Sequence, residues 1–131
     1  MTINEALYSY LSTHAGLSAL VGLRIYPLFL PQNVTYPAVV ITEIDLTPKH
    51  AMGADVSLYE VRFQFSCWGD TKSSVDSVKA QVISALRDYS GTMGGAGGVV
   101  VQRIFYESET EIYEPESLKF HIPIDFIIWH E

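Results

Sequence analysis

A chain of 131 residues that is 48% hydrophobic is long enough for one domain with a core of its own. Its net charge of −7, with 8 basic residues scattered along the chain, removes the electrostatic footprint of a protein that grips phosphates. The single cysteine, Cys67, excludes an internal disulfide framework, and no apolar run reaches the roughly 20 residues of a membrane helix. MTINEALYSYL lacks the basic start and apolar run of a signal peptide, so synthesis in a reducing cytoplasm is expected.

Thr2 caps a first helix, and Glu5 three residues later completes the pattern of a capping box. Ile3, Leu7, Tyr10 and Leu11 follow at helical spacing, and Gly16 reads as the stop. LSALVG adds a short helical turn carrying Leu17, Leu20 and Val21. Next comes RIYPLFLPQNVTYPAVVI, in which Pro27, Pro31 and Pro37 forbid a regular helix and disfavour a central strand. It reads as a stiff crossing from the first helix to the first strand. Tyr26, Phe29 and Tyr36 face either the domain's own core or a neighbouring molecule, as rigid apolar contacts.

Residues 38–46 are a β-branched strand, and TPKHAMGADVS is a polar loop longer than a tight hairpin needs. The cleanest strand covers residues 57–68. Tyr59, Val61, Phe63, Phe65 and Cys67 alternate there with Glu60, Arg62, Gln64, Ser66 and Trp68. One face of the sheet is therefore core and the other polar. GDTKSS offers helix caps at Asp70, Thr71 or Ser73, ahead of a stripe of Val75, Val78, Val82, Ala85, Leu86 and Tyr89. GTMGGAGG closes that helix as a loose connector. Residues 99–108 and 117–129 are two more strands. In the last, Leu118, Phe120, Ile122, Ile124, Phe126 and Ile128 share the apolar face, opposite Lys119, His121, Pro123 and Asp125. Pro123 predicts an edge position or a bulge. The order α-β-β-α-β-β gives an α+β fold: a four-stranded, mostly antiparallel sheet with two helices on its apolar face.

Little in this chain points to chemistry. None of the four histidines has the spacing of a metal-ligand pair, and there is no C-x-x-C. Cys67 lies on the apolar face of its strand, where a thiol is structural. GGAGG at 94–98 precedes a strand and cannot present a helix N-terminus to a phosphate. YESETEIYEPES, residues 106–117, holds five glutamates, read as a solvated or partner-facing loop. The alternative from a different class is a small α+β enzyme or ligand-binding domain using the polar sheet face, with His121 and Glu60 as its acid–base groups.

Taken in order, RIYP, then PAVV, then CW before the second helix, then YEPES before an alternating last strand resemble one family across nearly the whole chain. It is that of the tail-completion (tail-terminator, head–tail joining) proteins of long-tailed bacteriophages. The resemblance implies a structural α+β protein with no catalytic residues and no cofactor. It implies a six-membered ring of identical subunits at the head-proximal end of the tail, with the tail tube protein on one side and a neck or head-completion protein on the other. DNA would pass through the lumen without specific binding, and no membrane is involved. Another neck or tail-tube component is the nearest alternative. Ring contacts are heterologous, and loops 47–57, 91–98 and 107–117 are candidates for the two sides. They supply Lys49, His50, Met52, Glu109, Glu111, Tyr113 and Glu114 as interface candidates beside Tyr26, Phe29 and Tyr36. The negative charge also suggests an acidic lumen that DNA would not stick to.

Overall fold

The computed structural model describes residues 2–49, 58–115 and 118–131. Helix α1 (Ile3–Thr13) begins where the Thr2 hydroxyl accepts the Glu5 N–H at 3.2 Å. That satisfies one of the donors a first turn leaves without an intrahelical partner. Gly16 is not its stop. The helix ends at Thr13, and Gly16 lies inside a second helix, α2 (Ala15–Val21). A Cβ at Gly16 would stand 2.1 Å from the side-chain oxygen of Gln81 in the third helix, whose flexible amide end would have to swing aside. Leu17 and Val21 are buried as predicted.

The proline-rich crossing also contributes a strand. β1 (Ile25–Pro27) runs parallel to the start of β2 (Ala38–Pro48), with Ile25 opposite Val39 and Pro27 opposite Ile41. Arg24 holds the crossing: its Nε donates to the Pro37 carbonyl at 3.0 Å and its Nη2 to the Leu20 carbonyl at 3.2 Å. β2 pairs antiparallel with β3 (Tyr59–Gly69), with a bulge between Glu43 and Asp45. The alternation of β3 is as expected, and Val61, Phe63, Phe65 and Cys67 are fully buried.

α3 (Lys72–Leu86) is capped by Thr71, whose hydroxyl accepts the Ser74 N–H at 3.1 Å. Its buried side is Val75, Val78, Val82, Ala85 and Leu86. Tyr89 stands beyond the helix and packs on Tyr10 at 4.8 Å between ring centroids. The glycine-rich stretch is not a loose connector. β4 (Gly91–Met93) pairs antiparallel with the start of β5 (Val99–Glu109), and Gly98 N–H donates to the Gly95 carbonyl at 3.0 Å. Gly95 and Gly97, with φ of +79° and +76°, supply the left-handed turn that L side chains resist.

β6 (Ile112–Glu114) and β7 (Lys119–His130) complete the sheet. Its order is β1-β2-β3-β7-β5-β4, with β6 pairing β7 beside the end of β5. The fold is α+β as expected, but among the described residues it has three helices and seven strands in place of two and four. The additions β1, β4 and β6 are three residues each, too short to show periodicity. All three helices lie on one face. α3 packs on β3, β7 and β5, α2 bridges α1 and α3, and α1 reaches β4.

Two expectations for the last strand need correction. Leu118 is not on the core face; it precedes β7 in a turn, with φ +59° and 64% exposure. Pro123 is not on an edge strand, because β7 lies between β3 and β5. The Pro123 carbonyl accepts the Thr110 N–H at 3.2 Å. Its nitrogen therefore faces the same side, where β5 has ended at Glu109 and β6 starts only at Ile112. The missing donor falls in that gap.

Candidate interaction surfaces

Among the described residues, the helices pack on one face of the sheet and leave the other to the outward side chains of β3 and β7. That other face carries the expected polar residues; Arg62, Gln64, Lys49 and Lys119 are paired there, whereas both ring nitrogens of His121 are buried without a hydrogen-bond partner. Arg62 pairs with Asp125 at 3.4 Å, Gln64 donates to the same carboxylate at 3.3 Å, and Lys49 reaches Glu60 at 3.9 Å. Lys119 donates to Asp70, and that hydrogen bond, aided by the carboxylate's charge, raises the lysine pKa above its ordinary value. The face is less polar than the alternation suggested. Trp68 and His121 stack at 4.0 Å with 8° between their planes. Ile127 and Trp129 are half-buried on the same face, Lys49 lies 5.2 Å over the Trp129 ring, and Phe105 is 46% exposed beside them. Phe105, Ile127 and Trp129 were not anticipated on this face, yet the alternation that turns Asp125 outward also turns Ile127 and Trp129 outward.

His121 and Glu60 do not form an acid–base pair. Glu60 stands opposite Trp129 and His121 opposite Trp68, so eight residues of strand, ~27 Å, separate them. Burial holds the His121 imidazole below its usual pKa, opposed by Glu114 at 4.0 Å. The Cys67 thiol is fully buried, and burial pushes its pKa to about 12, so it is no nucleophile. Among the described residues no cluster of three metal-ligating side chains occurs.

The three aromatics of the proline stretch divide. Tyr26 is half-buried in β1 and lines an apolar groove of about 280 Å³ with Tyr8, Ile25, Pro27 and Ile41. Tyr36 is half-buried under Lys119, whose Nζ lies 4.9 Å from the ring centroid. Phe29 is 67% exposed and, with Leu28 at 71%, rims a hollow of about 330 Å³ over Trp68 and His121. Of the three, Phe29 alone is exposed.

The acidic stretch is largely neutralised in place. Glu109 is held by Tyr106 and Lys79, the latter at 3.0 Å. The Tyr106 hydrogen bond is the main reason its carboxyl stays below the ordinary range, and the same bond pushes the Tyr106 phenol to about 12. Such a carboxylate is a poor proton donor. Glu111 pairs with Lys72 at 2.5 Å, beside a hollow of about 250 Å³ that Tyr113 and Phe120 share. Tyr113 is 48% exposed and packs on Phe120 at 5.0 Å. Glu114 is half-buried. Thus Phe29, Tyr36, Tyr113 and Glu114 gather at the end of the sheet that holds His121, while Lys49 stands at the other end. His50 and Met52 lie outside the described residues.

The comparisons with known proteins give this surface its context. The family model described as "Tail completion protein gp17" matches residues 5–131. The chain belongs to that family. It is a phage tail-completion protein, a structural component of the virion tail. Among solved structures, a chain described as "Virion of native gene transfer agent (GTA) particle" is similar to it, with a TM-score of 0.76 and 19% identity. The match covers 98% of this chain and 94% of that one, so the two share a fold along their whole length. No curated protein matches the chain.

Proposed function

We propose that the tail-completion protein caps the head-proximal end of the tail tube as a ring of identical subunits, six by family resemblance. The ring stops tube polymerisation and offers its opposite side to a neck or head-completion protein. The observation that carries this reading is the family match over residues 5–131, which leaves no sizeable part of the chain for another task. The role is structural and calls for no catalytic group and no cofactor. DNA crosses the ring without being gripped, in keeping with a net charge of −7. Phe29 and Tyr113, exposed at one end of the sheet, are the contacts to a neighbouring protein.

Electron microscopy of particles made without this gene tests the reading. Tails of uncontrolled length with no head attached are expected. Tails of normal length joined to heads would overturn it, and normal tubes missing only another neck layer would move the protein to that layer.

A further inference from the structure

Strands β2 and β5 flank the central pair β3 and β7, and each is covered along only part of its outer edge. β1 covers Val39–Ile41 of β2. β4 covers Val99–Val101 of β5, and Asp88 and Tyr89 extend that cover to Ile104 through two backbone bonds of 3.0 and 3.2 Å. Among the described residues, no strand pairs with the outer edge of Thr42–Pro48 or of Phe105–Glu109.

The two open stretches stand at the same height in the sheet. Glu43 is opposite Phe63, Phe63 opposite Phe126, and Phe126 opposite Tyr106. Their backbone groups also point outward. Val39 N–H donates to Arg24 and the Ile41 carbonyl accepts from Leu28, both across the outer side of β2. Residues two apart in a strand turn the same way, so Glu43 turns outward too. Ile104 bonds outward through both its N–H and its carbonyl, and Tyr106 follows it. β2 and β5 are antiparallel to each other through the three antiparallel pairings between them.

We propose that copies of this chain join edge to edge, β2 of one against β5 of the next, antiparallel, with Glu43 and Tyr106 exchanging backbone hydrogen bonds. One edge meets a different edge, so the contact is heterologous and repeats around an axis; its closure into a ring rests on the reading given under Proposed function. Glu43 and Asp45 on one edge and Glu107 on the other carry like charges, with no ion pair to any of them among the described residues. Such repulsion keeps free subunits apart at low ionic strength and weakens as salt screens it.

The register predicts the neighbours. Counted from Glu43 and Tyr106, Thr42 falls opposite Glu107 and Ile44 opposite Phe105, each pair taking one member (Glu107 or Ile44) from a bulge in its own strand; Cα atoms in regular non-hydrogen-bonded pairs lie ~4.5 Å apart, within reach of a disulfide. Within one chain these positions are three strand spacings apart, ~14 Å, too far to bridge. Thr42→Cys/Glu107→Cys and Ile44→Cys/Phe105→Cys double variants are oxidised at high salt, with folding checked by circular dichroism. Multiples of the chain mass on a non-reducing gel are expected from either double variant and not from the single ones. Glu43→Pro, which removes the outward N–H, should abolish the multiples, whereas Glu43→Ala should retain them. Folded double variants that both stay monomeric would overturn edge pairing in this register. If crosslinks form but the wild-type chain leaves tube ends uncapped, edge pairing stands and the capping role falls.

Discussion

Replacing Gly98 by alanine tests whether the glycine-rich stretch is a built hairpin or a loose connector. A Cβ there would stand 2.1 Å from the Met93 carbonyl oxygen and 2.9 Å from that of Gly95, where real Cβ atoms do not come below 3.0 Å. The obstacle is backbone on both sides, so no rotamer change relieves it. The chain must move by about an ångström, which breaks the Gly98–Gly95 hydrogen bond and the Met93–Val99 rung. Two backbone bonds at ~1 kcal/mol each, with partial loss of packing at the buried Met93 and Val99, give a cost of ~2–4 kcal/mol. The lower entropy of the unfolded alanine chain offsets ~0.4–1 kcal/mol of that. A net loss of ~2–3 kcal/mol corresponds to a fall in Tm of ~10 °C for a chain of this size. Urea unfolding followed by circular dichroism reads the change as a lower midpoint with an unchanged slope. Gly97→Ala is the control: at φ +76° nothing lies within 4 Å of an added Cβ, so only the left-handed strain of ~1 kcal/mol applies. A Gly98→Ala midpoint within ~0.5 kcal/mol of wild type, or equal losses in the two variants, would refute the reasoning.

Other outcomes follow from the same geometry. Cys67 should resist thiol reagents in the folded protein and react on unfolding; rapid labelling under native conditions would contradict its burial. His121 has a folded pKa below its unfolded value of ~6.5, so the unfolded chain binds the proton first as pH falls. Its share of stability is complete above that pH and is lost between it and the lower folded pKa, so His121→Phe should flatten the acid side of a stability–pH curve. Phe126→Ala removes a fully buried ring that packs on Phe65 and Tyr106 and should cost ~3–5 kcal/mol in chemical denaturation, a large part of a typical domain's stability. Phe29→Ala and Tyr113→Ala together should leave the melting curve nearly unchanged while reducing the fraction of capped tube ends seen by electron microscopy.

Local chemistry was readable wherever a residue's own neighbours in sequence settle the outcome. The Thr2 and Thr71 caps act within one helical turn. The alternation in β3 and the stripe of α3 each span enough residues for their period to show. Interface candidates were legible only as residue types. Phe29 and Tyr36 are both aromatics among prolines, but only the fold leaves one exposed and lays Lys119 over the other. The acidic stretch reads as free charge in sequence because its partners Lys72 and Lys79 come from a helix more than two dozen residues away.

The sequence by itself determined the α+β class, the core faces of β3 and α3, and a negative charge unsuited to gripping DNA. Those properties depend on composition and on periods of two or 3.6 residues, which are local. Strand order belonged to the tertiary structure alone. Hydrogen-bonded pairing joins segments far apart in sequence, so no local period reports that β7 sits at the centre or that Pro123 faces a gap between β5 and β6. The same long-range pairing decided which edges stay open, and it set Glu43 and Tyr106 level with each other on opposite sides of one sheet.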